Sequence, residues 1–201
     1  RMARRTETVS GIAFTTDAIC VAQFVPEERQ VTKFSIQHLD EQTADIWECA
    51  ASGLKQLVRA VKLAGENVVC SLPAEHAIIR KLCLDNDEPN RDEALEWEFS
   101  QHIIGSREEF IFDFEKLAAV PKAGLEQYMV VGYRNESVDR MSRLLRAHKL
   151  NPLVVDLDIF ALVNTYEANY ADPAALPALL VLADESLTKL VLTAQGAYVD
   201  M

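Results

Sequence analysis

Apolar and polar residues alternate with a period of two through the first forty positions. Stretches 8–14 and 18–25 flank the turn Thr15-Thr16-Asp17, and 31–38 repeats the alternation with Val31, Lys33, Phe34 and Ile36. Such alternation predicts half-buried strands, and the intervening "VPEER" supplies Pro26 and charges suited to a hairpin loop. The period then changes. From 44 to 64 the apolar positions Ile46, Ala50, Leu54, Leu57, Val58 and Val61 recur at helical spacing. Thr43 or Asp40 is placed to cap this helix, and Gly65 to end it in a left-handed conformation. "ENVVCSLP" follows as a short buried strand closed by Pro73, and 77–84 reads as another.

The order β-β-β-α-β predicts an α/β fold with a mixed sheet, as in ribonuclease-H-like and actin-like domains. Residues 85–92 are polar and contain Pro89, which marks a junction. Asn90 with Glu93 resembles a capping box for a helix reaching about residue 104, striped with Leu95, Phe99, His102 and Ile103. Residues 108–120 alternate again, with Phe110, Phe112 and Phe114 on one face, and "LEQYMVVGY" forms a second strand after the loop "PKAG". A helix from 135 carries Val138, Met141, Leu144, Leu145 and His148 along one stripe. This α-β-β-α block reads as an inserted subdomain. Residues 151–158 return to strand and 158–170 to helix, and Pro173 and Pro177 mark a linker. Then "ALLVLADESLTKLVLTAQGAYVDM" restarts a hairpin pattern like the first one. It reaches Met201 inside an expected third strand, so the second domain is expected to be incomplete.

Composition narrows the function classes. The 201 residues carry 20 Lys and Arg against 31 Asp and Glu, a net charge of −11, which excludes a phosphate backbone as the natural partner. Apolar runs such as 178–183 fall far short of the roughly 20 residues of a membrane span. No apolar segment follows the basic start Arg1–Arg5, so secretion is not expected. Cys20, Cys49, Cys70 and Cys83 stand singly, without zinc or disulfide spacing, and are expected as reduced, buried thiols.

A collinear series of short motifs carries a family resemblance. "SGIAFTTDAICVAQF" at 10–24 stands where members of the actin-like PilM/FtsA group read close to "VGIDIGTSSIKAVEL". "VCSLP" at 69–73 matches their V-x-x-x-L-P strand, and 78–84 their x-x-I-R-x-L-x-L. Glu98 to Ile103, "DFEKL" at 113–117 and "VVD" at 154–156 with Ala161-Leu162 continue the match in order. The chain thus resembles the type IV pilus assembly PilM-like family. The resemblance implies subdomain 1A at 8–84 plus 150–175, an inserted 1C subdomain at 85–149, and the start of 2A at 176–201.

In actin-like proteins two hairpins grip nucleotide phosphates through Asp-x-Gly followed by Thr or Ser. The Asp holds Mg²⁺, and the Gly lets backbone N–H groups approach phosphate. Here Ala13 and Thr15 stand at the Asp and Gly positions, Thr16 at the hydroxyl position and Asp17 one residue on. In the second hairpin Leu182 and Asp184 take the Asp and Gly positions. Thr15, Thr16 and Asp17 therefore read as a vestigial phosphate loop, no cofactor is expected, and ATP hydrolysis is not. The alternative is an ATP–Mg²⁺ site with a shifted loop that recruits Asp17. Asp156 and Asp158 are placed to cap the next helix, or to serve as cleft carboxylates. His76 reads as a surface residue, and His38, His102 and His148 are isolated.

The resemblance further implies a scaffold at the cytoplasmic face of the inner membrane, without direct insertion. It would bind the cytoplasmic N-terminal peptide of a PilN-like membrane protein and contact other pilus or secretion platform proteins. A GspL-like or MshI-like component of a type II secretion or related system is the alternative. The expected peptide groove, between 1A and 1C, draws on Leu72, Pro73, Ile78, Ile79, Arg80, Val130, Val131 and Tyr133.

Overall fold

The computed structural model describes residues 8–15, 17–39, 46–63, 67–117, 124–170, 177–183, 187–194 and 197–200. The expected opening is present: β1 (Val9–Phe14), β2 (Ala18–Val25), β3 (Gln30–His38), α1 (Ile46–Val61) and β4 (Asn67–Leu72). Strand β8 (Asn151–Leu157) completes a five-stranded sheet ordered β3-β2-β1-β4-β8. The first three strands are antiparallel, whereas β1–β4 and β4–β8 are parallel. Parallel neighbours need a crossover, and α1 supplies the one between β3 and β4. Its stripe Ala50, Leu54, Leu57, Val58 and Val61 is buried against Ile12, Ile19, Val21, Val68 and Cys70 of the sheet.

Helix α1 does not run on to Gly65, which lies outside the described residues, as do Asp40 and Thr43. Lys62 adopts the left-handed conformation (φ 61°), and the Leu63 N–H donates to the Val58 carbonyl at 3.1 Å. This is the six-to-one bond of a Schellman cap, fastened by Leu63, which is fully buried. Helix α3 (Asn135–Ala147) ends the same way, with Lys149 at φ 62° and the buried Leu150 N–H donating to Leu145 at 3.0 Å.

A second sheet, ordered β5-β7-β6, is antiparallel throughout. It comprises β5 (Ile78–Asp85), β6 (Phe110–Lys116) and β7 (Leu125–Arg134), with α2 (Arg91–Ser100) on one face. The strand at 78–84 therefore sits with the insert and not with the large sheet. It pairs with β7 along its full length, from Ile78↔Gly132 to Asp85↔Leu125. Pro73 closes β4, and a single 3₁₀ turn, Ala74–His76, redirects the chain. Residues Leu82, Leu84, Leu95, Phe99, Phe110, Tyr128 and Val130 form a separate core under α2. Phe99 needs Gly132: a Cβ there would lie 2.0 Å from its ring. Phe112 and Phe114 continue the stack beside Phe99.

Helix α2 begins after Asn90 without a side-chain cap, and the Asn90 N–H that Glu93 would accept in a capping box donates instead to the Glu88 carboxylate at 3.1 Å. It stops at Ser100, leaving His102 exposed and Ile103 packed against the second core. Helix α4 (Asp158–Tyr170) follows β8 directly. A third sheet holds β9 (Ala178–Ala183), β10 (Thr188–Ala194) and β11 (Ala197–Asp200) in antiparallel order. Val191 of β10 is buried in the main core.

Among the cysteines, burial pushes the Cys70 thiol up to about 12 and also raises Cys20, where Asp17 adds to the effect. Cys70 meets the expectation of a buried thiol, whereas Cys20 and Cys49 are half-buried and Cys83 lies at the surface. No helix among the described residues is long and apolar enough to cross a membrane.

Candidate functional site

The five-stranded sheet runs from β3 to β8 and the second from β5 to β6, so among the described residues β8 and β6 are each edge strands of their sheets. Both edges border one groove of about 880 Å³. All seven residues from 111 to 117 line it, as do Val155, Asp156 and Leu157. Successive side chains of a strand point to opposite faces, so a whole run can line a cavity only where the strand presents its edge. The floor is apolar, with Leu72, Met129, Val131, Tyr133, Phe160 and Val163. The opening is acidic, with Asp113, Glu115, Asp156 and Glu167. Among the described residues its one basic side chain, Lys116, is held by Glu126 at 2.5 Å.

Of the residues expected to form a peptide groove, the structure brings Leu72, Val131 and Tyr133 together here. Pro73 lines a second cavity of about 290 Å³ with Phe14, Thr15, Trp47 and His76. Ile79 is buried in the main core, Val130 in the second core, and Ile78 packs beside the latter. Arg80 is exposed and donates to its neighbour's carbonyl, Ile79, at 2.7 Å. The sequence identified β5 as a strand but not its position on the far side of β7 from the groove. The groove's other wall, β6 with α4, was legible as a strand at 108–120 and a helix at 158–170, but not as a wall of the groove.

The first hairpin turn is closed on itself. The Thr15 hydroxyl donates to the Asp17 carboxylate at 2.7 Å and accepts the Ala18 N–H at 2.9 Å. The Thr15 N–H donates to the Ala18 carbonyl at 2.9 Å. Asp17 is thus a turn residue, with one carboxylate oxygen and the Thr15 hydroxyl and N–H engaged inside the loop. Ala13, at the expected metal-ligand position, offers no side-chain oxygen to Mg²⁺. Thr16 and Asp184 lie outside the described residues. Among the described residues no cluster of three His, Cys, Asp or Glu side chains could hold a metal.

A different charged centre lies where β10 meets α4 and the 74–76 turn. Lys189 of β10 pairs with Glu75 at 2.6 Å and with Asp158, the first residue of α4. The other Asp158 oxygen accepts the N–H groups of Ile159 at 2.8 Å and Ala74 at 3.1 Å. Asp158 therefore caps its helix, as its position suggested, and also binds two neighbouring elements. Burial opposes the charge on Lys189, yet the two carboxylates outweigh it and hold the ammonium above its ordinary range. Tyr133 stands next to this centre: its hydroxyl donates to the Pro73 carbonyl at 3.3 Å. Burial, then Glu75 and Asp158, push its ionisation well above the usual phenol value. Asp156 does not cap α4. It accepts the Leu157 N–H at 2.8 Å, and burial raises its carboxyl above the ordinary range.

The three-plus-two mixed sheet, the inserted second sheet and the restarted hairpin define a protein of the actin-like fold. The chain belongs to the type IV pilus assembly protein PilM family, whose signature matches residues 21–184. Among solved structures it is similar to the "PilM-PilN type IV pilus biogenesis complex", with a TM-score of 0.84 and 21% identity. That match covers 98% of this chain and 61% of the other, so this chain spans about three-fifths of that relative. The cytoplasmic domain of EpsL, an inner membrane component of the type II secretion system of Vibrio cholerae, matches with a TM-score of 0.65 at 14% identity. It covers 96% of this chain and 70% of that one. A Bacteroides thetaiotaomicron VPI-5482 protein with an actin-like ATPase fold and unknown function follows, with a TM-score of 0.51 at 10% identity over 96% of this chain and 68% of that one. No curated protein matches the chain.

Proposed function

We propose that this protein is a non-catalytic scaffold of a type IV pilus assembly platform at the cytoplasmic face of the inner membrane. In this reading it holds the cytoplasmic N-terminal segment of a PilN-like membrane protein in the groove between β6 and β8. The observation that supports this is the pairing of two strand edges over an apolar floor. Edges of this kind offer backbone hydrogen bonds to an extended peptide, and pockets sort its alternate side chains. A structural relative is itself described as a PilM–PilN complex. The self-closed Thr15–Asp17 turn supports a role without ATP or Mg²⁺, as a pseudo-ATPase. The ATP-binding alternative stands on the fold alone.

Fluorescence anisotropy with the labelled N-terminal segment of the PilN-like protein from the same organism tests the reading. Ile111 lines the groove while its side chain is half exposed (52%), so Ile111→Asp leaves both cores intact. It is expected to weaken binding at least tenfold, the scale of one apolar anchor lost on burying a charge. Unchanged binding by the folded variant rejects the groove. Micromolar, Mg²⁺-dependent ATP binding in calorimetry rejects the pseudo-ATPase reading.

A further inference from the structure

We propose that Asp156 is the specificity determinant of the groove and selects a basic side chain on the bound peptide. This inference rests on the docking reading above and adds the chemistry of the occupant. Four carboxylates line the groove, and among the described residues none has a cationic side-chain partner. They are not equivalent. Asp113 and Glu115 are exposed on β6, where water and salt screen them. Glu167 is two turns further along α4 than Phe160. Asp156 is half-buried at the penultimate position of β8, opposite the buried Ser71 of β4 and beside the apolar floor.

Among the described residues its one hydrogen-bond donor is the N–H of Leu157, which leaves its outer oxygen facing the groove. Half-burial beside the apolar floor strips part of the water from this carboxylate and raises its pKa, and leaves it less screened than the exposed rim charges. A Lys or Arg ammonium or guanidinium carried in by an extended peptide completes it. The groove's own cation cannot do so, because Lys116 is committed to Glu126. An apolar side chain then fills the floor beside Val131 and Phe160 while the basic one reaches Asp156, a division that the two-residue period of a strand provides.

The experiment uses the whole chain and two short acetylated peptides, one alternating Ile with Lys and one alternating Ile with Gln. Wild type is expected to favour the Lys peptide roughly tenfold, the value of one charge-assisted hydrogen bond. Asp156→Asn keeps an acceptor for the Leu157 N–H and is expected to cut that preference to about twofold or less, while melting no lower than wild type. Asp156→Glu restores part of the preference. Asp113→Asn and Glu115→Gln leave it within about a factor of two, as screened rim charges should. A preference that survives Asp156→Asn, or one that Asp113→Asn removes equally, overturns the assignment and leaves the groove standing. Failure of both peptides and of the PilN-like segment to bind overturns the docking reading and this inference with it.

Discussion

Replacing Lys189 with Met removes one charge at nearly constant side-chain length and tests what joins β10 to α4 and the 74–76 turn. The Lys189 side chain is only 11% exposed, and its partners Glu75 and Asp158 are 22% and 12% exposed. At 2.6 Å from Glu75 the attraction is about 6 kcal/mol gross at an effective dielectric near 20, and Asp158 adds a second contact. Desolvation of three ions offsets most of this, so the intact centre contributes little net stability against an apolar replacement of all three. Removing the cation alone is different: two carboxylates are left facing each other with no counter-charge. Loss of one partner from a buried pair costs about 3–5 kcal/mol, and the partial exposure here lowers the expectation to about 2–3 kcal/mol. Urea unfolding should show this as a lower midpoint at unchanged slope. Asp158→Asn in the Lys189→Met background should recover part of the loss, giving a coupling energy above about 1 kcal/mol in the double-mutant cycle. A single-variant loss below about 0.5 kcal/mol, with no coupling, would refute the view that this centre fastens β10 to α4 and the 74–76 turn.

Gly132→Ala places a methyl group inside the Phe99 ring position and should destabilise the fold by about 3 kcal/mol in the same assay, with Phe99→Leu recovering part of it. Lys149→Gly should stabilise by about 0.5–1 kcal/mol, because φ 62° is strained for any residue with a Cβ; a lower melting temperature would show that the cap depends on the Lys side chain. The folded-state pKa values of Tyr133 and Lys189 both lie above their unfolded values, so their contributions are complete below about pH 10 and fade as pH rises through the folded values. The urea midpoint should therefore hold level from neutral pH to about 10 and fall beyond it, and the Tyr133→Phe variant should fall less steeply.

Local patterns revealed the elements and hid their partners. The alternation at 8–38 and the helical spacing at 46–61 are short-range signals, and the hairpins and α1 follow them closely. Whether residues 78–85 extend the large sheet or join the insert depends on β7, more than forty residues away, and no periodicity encodes that choice. The same limit applies to the site. Leu72, Val131 and Tyr133 were legible as apolar strand residues, but Ile79 and Val130 looked identical and do not reach the groove, which Leu72 and Tyr133 line while also belonging to the main core. The convergence of Glu75, Asp158 and Lys189 was invisible, since each residue alone is an ordinary surface type. The helix ends also misled, because Gly65 advertised a stop that the Lys62–Leu63 pair makes first through burial of Leu63.

Strand β7 alternates between two clients. Tyr128 and Val130 serve the core under α2, whereas Met129 and Tyr133 serve the core of the large sheet. It is a party wall: neither room keeps its shape if the wall is taken down. Residues 85–149 therefore cannot be excised to leave a self-standing remainder, since the cut removes one side of the larger core along with the smaller one. Both cores should melt in one cooperative transition, and the groove beside them inherits that shared rigidity.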